Sequence, residues 1–162
     1  MTGGGGTLSD DLKRMLDDAM QRASGRDNAK KTAKQKAEEA AKASGQQLKE
    51  RVLPRLQAAQ KAWEGKFKLD IQDQSDRFQV DPDGHARAYP TITASATVKE
   101  HASYAFAAHY PGHVSIREGA GQNRGNTVYE FNVEKLEDLT DAKIDQILQA
   151  LLETALGLKP GR

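Results

Sequence analysis

The stretch that most constrains how this chain can fold is His85 to Val98, HARAYPTITASATV. Taken two residues at a time, Ala86, Ala88, Pro90, Ile92, Ala94, Ala96 and Val98 fall on one side. His85, Arg87, Tyr89, Thr91, Thr93, Ser95 and Thr97 fall on the other. Side chains of a strand alternate between faces, so this pattern predicts a long strand with one apolar and one hydroxyl-rich face.

Shorter stretches on either side repeat the period of two. Lys66 to Ile71 directs Phe67, Leu69 and Ile71 inward, and Asp76 to Val80 directs Phe78 and Val80 inward. Asp81-Pro82-Asp83-Gly84 is a turn: proline presets φ and glycine accepts positive φ. Lys99 to Ser103 is polar and turns the chain. Tyr104, Phe106 and Ala108 then continue the inward face, Pro111-Gly112 turns again, and Val114 and Ile116 point inward from His113 to Glu118. After the loop Gly119 to Asn126, the stretch Thr127 to Val133 places Tyr129, Phe131 and Val133 on one face. No connection is long enough for a parallel crossover, so an antiparallel meander of about six strands is expected.

A sheet with one greasy face needs a covering layer. Thr140 caps a C-terminal helix with the stripe Ile144, Ile147, Leu148, Leu151, Leu152, Ala155 and Leu156, stopped by Gly157 and Pro160. Before the sheet, Leu48, Val52, Leu53, Leu56, Ala59 and Trp63 form a second stripe, ending at Gly65. Pro54 interrupts it and predicts a kink, or a helix that begins there. The Trp63 stripe reads as core. The fold class is therefore α+β: an antiparallel sheet, a C-terminal helix and a preceding amphipathic helix on one face, and a helical N-terminal extension.

That extension, residues 1–47, is expected to stand apart from a compact domain, residues 48–162. From Gln21 to Gln47 there is no Val, Ile, Leu, Met, Phe, Trp or Tyr, so the core must come from elsewhere. Met1 to Thr7 is glycine-rich and is expected to be disordered. Ser9 to Ala23 reads as a short amphipathic helix, capped by Ser9 and ended by Ser24-Gly25. Leu8, Leu12, Met15, Leu16, Ala19 and Met20 recur on one of its sides. Asp27 to Ala43 is made of strong helix formers and carries only a thin alanine face, Ala29, Ala33, Ala37 and Ala40. It lacks the large seam residues of a coiled coil. Ser44-Gly45 reads as a further break.

The formal net charge is +1, but between Ala19 and Lys61 eleven Lys and Arg face four acids, leaving the remainder acidic. With no cysteine in the chain, disulfides, thiolate metal sites and a cysteine nucleophile are excluded. The first residues lack a basic n-region and an apolar h-region, and no apolar run approaches the ~18 residues of a membrane span. A soluble, cytoplasmic protein is the expectation.

Reactive constellations are sparse. His109-Tyr110-Pro111-Gly112-His113 puts two histidines of outward parity at a tight turn. They are candidate metal ligands, but zinc wants three or four; His85, His101 or Asp83 would have to join them. A His/carboxylate pair with Glu100, Glu118 or Glu130 is a catalytic option, and no serine sits in a nucleophile-elbow pattern. Gly119-Ala120-Gly121 with Gly125 precedes a strand rather than a helix, so it is not a phosphate-cradling fingerprint. Asp81 and Asp83 do not begin a calcium loop, since Ile92 stands where its last acid belongs.

The sequence points to a non-enzymatic interaction or assembly module with no cofactor, self-associating through its arm (Leu12, Met15, Leu16, Met20), through the flat outward sheet face (Tyr89, Thr91, Thr93, Ala105, Ala107), or both. The alternative is nucleic-acid binding through Lys30, Lys31, Lys34, Lys36 and Lys42, which can neutralise phosphates. A small-ligand or metal-binding domain centred on His109 and His113 is the second alternative.

Overall fold

The computed structural model describes residues 3–109, 112–119, 126–127 and 133–158. Its architecture is α+β; the described residues form a long helix α1 (Gly3–Ala62), seven strands and a C-terminal helix α2 (Asp141–Ala155). Strands β1 (Asp70–Gln74), β4 (Thr91–Thr97), β5 (His101–His109), β6 (His113–Glu118) and β7 (Asn126–Thr127) form one antiparallel sheet in the order β1-β4-β5-β6-β7. Strands β2 (Gln79–Val80) and β3 (Ala86–Ala88) form a separate two-stranded ribbon. They leave the meander, so β1 pairs with β4.

The alternation of the long stretch holds where β4 lies. Pro90, Ile92, Ala94 and Ala96 are buried, while Thr91, Thr93 and Ser95 are half-buried on the other face. The single strand expected over 85–98 is corrected at both ends. Pro90 has no N–H to donate, and the chain breaks at Tyr89-Pro90 into β3 and β4. Ala86 and Ala88 are therefore exposed on the ribbon rather than inward. At the far end Val98 leaves the sheet and is 53% exposed. It belongs to the turn in which the Lys99 and Glu100 N–H groups both donate to the Ala155 carbonyl at the end of α2.

The core joins that face to both helices. Ile92, Tyr104, Phe106, Val114 and Ile116 of the sheet cluster with Leu48, Val52 and Leu56 of α1 and with Ile144, Ile147, Leu148 and Leu151 of α2. Thr140 caps α2, its side chain accepting from the Lys143 N–H. Strand β1 starts at Asp70, later than expected, because the chain first curls at Gly65 (φ +87°). Trp63 and Phe67 then meet edge to face at 5.4 Å against the core. Of the last expected strand, β7 covers Asn126–Thr127 and Val133 is buried; Tyr129 and Phe131 lie outside the described residues.

The largest correction concerns α1. The sequence predicts three helices separated at Ser24-Gly25 and Ser44-Gly45, after a disordered start. One helix instead runs from Gly3 through both glycines and through Pro54. Pro54 costs about 3 kcal/mol in a helix interior, but it is flanked by Val52 and Leu56, both 0% exposed, and burying each contributes about 1.5–3 kcal/mol. Packing therefore outweighs the local penalty. Ser44 and Gly45 do not break the helix because they are buried in it: a Cβ on Gly45 would meet the Ser75 carbonyl and the Pro90 ring. The helix runs unbroken across residue 47, and burial on it begins near Ala37.

Candidate interaction surfaces

The arm is the part of α1 that leaves the body. Residues 9–36 are all exposed. The β2–β3 turn, Asp81 to Gly84, closes on the helix at Ala33. Gly84 has φ +90°, and a Cβ there would lie 3.0 Å from the Ala33 carbonyl carbon and oxygen. Beyond that turn the helix is bare. Leu12, Met15, Leu16 and Met20 are 56, 65, 60 and 60% exposed.

Their direction follows from helix geometry. Leu12, Leu16 and Met20 each precede Leu48, Val52 and Leu56 by thirty-six residues, which is about ten turns at 3.6 residues per turn. The apolar stripe of the arm therefore projects toward the side on which the sheet packs, about 54 Å further along the axis.

Lys30, Lys31, Lys34, Lys36 and Lys42 are exposed on the same helix. Glu38 and Glu39 lie among them along the chain; at about 100° per residue Lys30, Lys31, Lys34 and Lys42 share one broad side of the helix, and Lys36 falls outside it.

The outward sheet face is built by register. Thr91 stands opposite Ala107, Thr93 opposite Ala105 and Ser95 opposite Ser103. On the next strand Arg117 stands opposite Ala105 and Ser115 opposite Ala107. Small side chains thus occupy the middle of the face, and both helices lie on the other side. Tyr89 comes from the β3–β4 junction, and its ring lies 4.0 Å from that of His109.

His109 and His113 are paired across the β5–β6 hairpin. His109 Nε2 shares a 2.8 Å hydrogen bond with Ser115 Oγ. Burial, reinforced by Arg117 and His113, lowers the His109 pKa from its ordinary 6.5. Neutral imidazole suits a metal ligand, but among the described residues no three His, Asp or Glu converge on one point.

Two polar contacts were not foreseen in the sequence. Arg55 Nε and Nη2 donate to both carboxylate oxygens of Asp145 at 2.7 Å, joining α1 to α2. This bond holds the Asp145 carboxyl below its usual range. The Ser75 N–H and hydroxyl donate to Asp73 Oδ1 at 3.0 and 2.6 Å, with Lys49 at 3.8 Å from Oδ2. Burial alone would raise the Asp73 pKa; the Ser75 bonds and Lys49 outweigh it and lower it. The Arg55–Asp145 and Lys49–Asp73 contacts have no local sequence signature, since each depends on elements brought together by the fold; the Ser75 bonds to Asp73 span two residues and form a local turn of the Asx kind.

No family model matches this chain, and no curated protein and no solved structure matches it. Among the described residues no helix is long and apolar enough to cross a membrane.

Proposed function

We propose that this chain is a non-enzymatic assembly module that self-associates through its N-terminal arm. One observation carries this reading: four large apolar side chains recur at helical spacing on a stretch of α1 that touches nothing else in the described chain. Burying each contributes about 1.5–3 kcal/mol, and most helices in proteins depend on such packing for their stability. The small-residue sheet face, with Ala105 and Ala107, is a second surface for the same kind of contact.

Light scattering of the full chain at micromolar concentration tests the reading. The expected mass is above 17.7 kDa, and it should return to that value in the double variant Leu16→Glu/Met20→Glu. A monomer at every concentration overturns self-association.

Nucleic-acid binding is the second reading, supported by the five exposed lysines of the arm. Its affinity would fall steeply with salt. Substitution of Lys30, Lys31 and Lys34 by Gln would then weaken binding to a duplex oligonucleotide and flatten the salt slope. Retention of both eliminates the arm from that role.

A further inference from the structure

We infer that the arms of two copies pair antiparallel, tip over tip, about a two-fold axis near Leu16. This deepens the self-association reading and rests on it. The first argument is steric. The stripe at Leu12, Leu16 and Met20 points to the side on which the chain's own sheet packs against Leu48, Val52 and Leu56. Two straight helices lie about 8–10 Å apart when packed. A second α1 running parallel along the stripe would continue into the space filled by the first copy's sheet.

An antiparallel second copy has no such conflict. Centring on Leu16 sets each Leu12 level with the other copy's Met20, so the apolar residues cover themselves. The second helix, which starts at Gly3, then ends level with residue 29. That is short of Ala33, where the Asp81–Gly84 turn closes on the first helix. The second body falls beyond the first copy's N-terminus.

Charge supplies an independent argument. A two-fold axis perpendicular to the helices brings like flank against like flank. On one flank Lys13 then comes within two residue levels of Asp17 of the second copy, an attraction made twice by the symmetry, against a single Asp17–Asp17 approach at the same offset. On the other Asp11 comes within one level of its Arg22. The symmetry repeats both pairs, and opposite charges beside an apolar seam set orientation. A parallel pair would instead set two Asp17–Asp18 repulsions against two Lys13–Asp11 attractions, so it lacks the net attraction of the antiparallel pair.

The absence of native cysteine makes the test clean. Leu16→Cys should cross-link to itself under mild oxidation. Leu12→Cys and Met20→Cys should each cross-link poorly alone and efficiently when mixed. Strong self-linking of Leu12→Cys with none in the mixture overturns the antiparallel arrangement while leaving self-association intact. A monomeric mass for the unmodified chain overturns the underlying reading instead. Small-angle scattering of the unmodified chain is the second measurement. The two bodies should appear about 100 Å apart at 1.5 Å of rise per residue, and bodies lying side by side contradict the arrangement.

Discussion

At Gly45 a methyl group would run into the Ser75 carbonyl and the Pro90 ring, whereas Gly25 has open space around its missing Cβ. The same substitution should therefore have opposite signs at the two sites. Gly25→Ala removes a helix-disfavouring residue and should raise helix content, a gain of about 0.5–1 kcal/mol. Gly45→Ala overpacks a buried contact and should cost about 1–3 kcal/mol in chemical denaturation. If both variants are equally stable, the close approach of α1 to Pro90 is wrong. A second residue-scale effect belongs to His109. Its folded pKa is lowered, so the unfolded chain binds the proton more readily. Its contribution is present above pH 6.5 and is lost as pH falls through that value toward the folded pKa. Stability should decline on acidification below pH 6.5, and His109→Gln should flatten that part of the profile. An unchanged profile assigns the dependence to other groups.

Element boundaries turn on competition between local penalties and packing. The period of two from Pro90 to Ala96, and again at Tyr104, Phe106 and Ala108, locates β4 and β5 correctly because each has one face on the core. The stripe of α2 was equally legible. Parity alone places Pro90 within one strand, although a proline without an N–H ends the pairing there. On α1 the opposite error arose: Ser24-Gly25, Ser44-Gly45 and Pro54 read as stops because each disfavours helix locally. Leu48, Val52 and Leu56, all 0% exposed, override the last two. The arm's stripe was visible in the sequence; that it shares a direction with Leu48 was not, because that needs an unbroken helix between them. The account predicts that Pro54→Ala stabilises the chain by about 1–3 kcal/mol, since it restores a helical N–H without removing a buried side chain. A loss of stability would mean that the proline shapes the packing of α1 on the sheet.

At the scale of the whole molecule, apolar surface lies in two places along one helix. The first is the root of α1, where it is buried against the sheet and α2. The second is the tip, where Leu12, Met15, Leu16 and Met20 have nothing beneath them. Core substitutions and arm substitutions should therefore separate. Leu151→Ala, at a residue 0% exposed, should lower unfolding stability by about 2–5 kcal/mol. Leu16→Glu/Met20→Glu should leave the melting of the sheet nearly unchanged at concentrations where the chain is monomeric. Sedimentation equilibrium of the unmodified chain over a concentration series tests the central claim most directly. The apparent mass should climb from 17.7 kDa toward twice that value as concentration rises; a constant 17.7 kDa up to about 100 μM, a range in which even weak specific pairing is detectable, would contradict it.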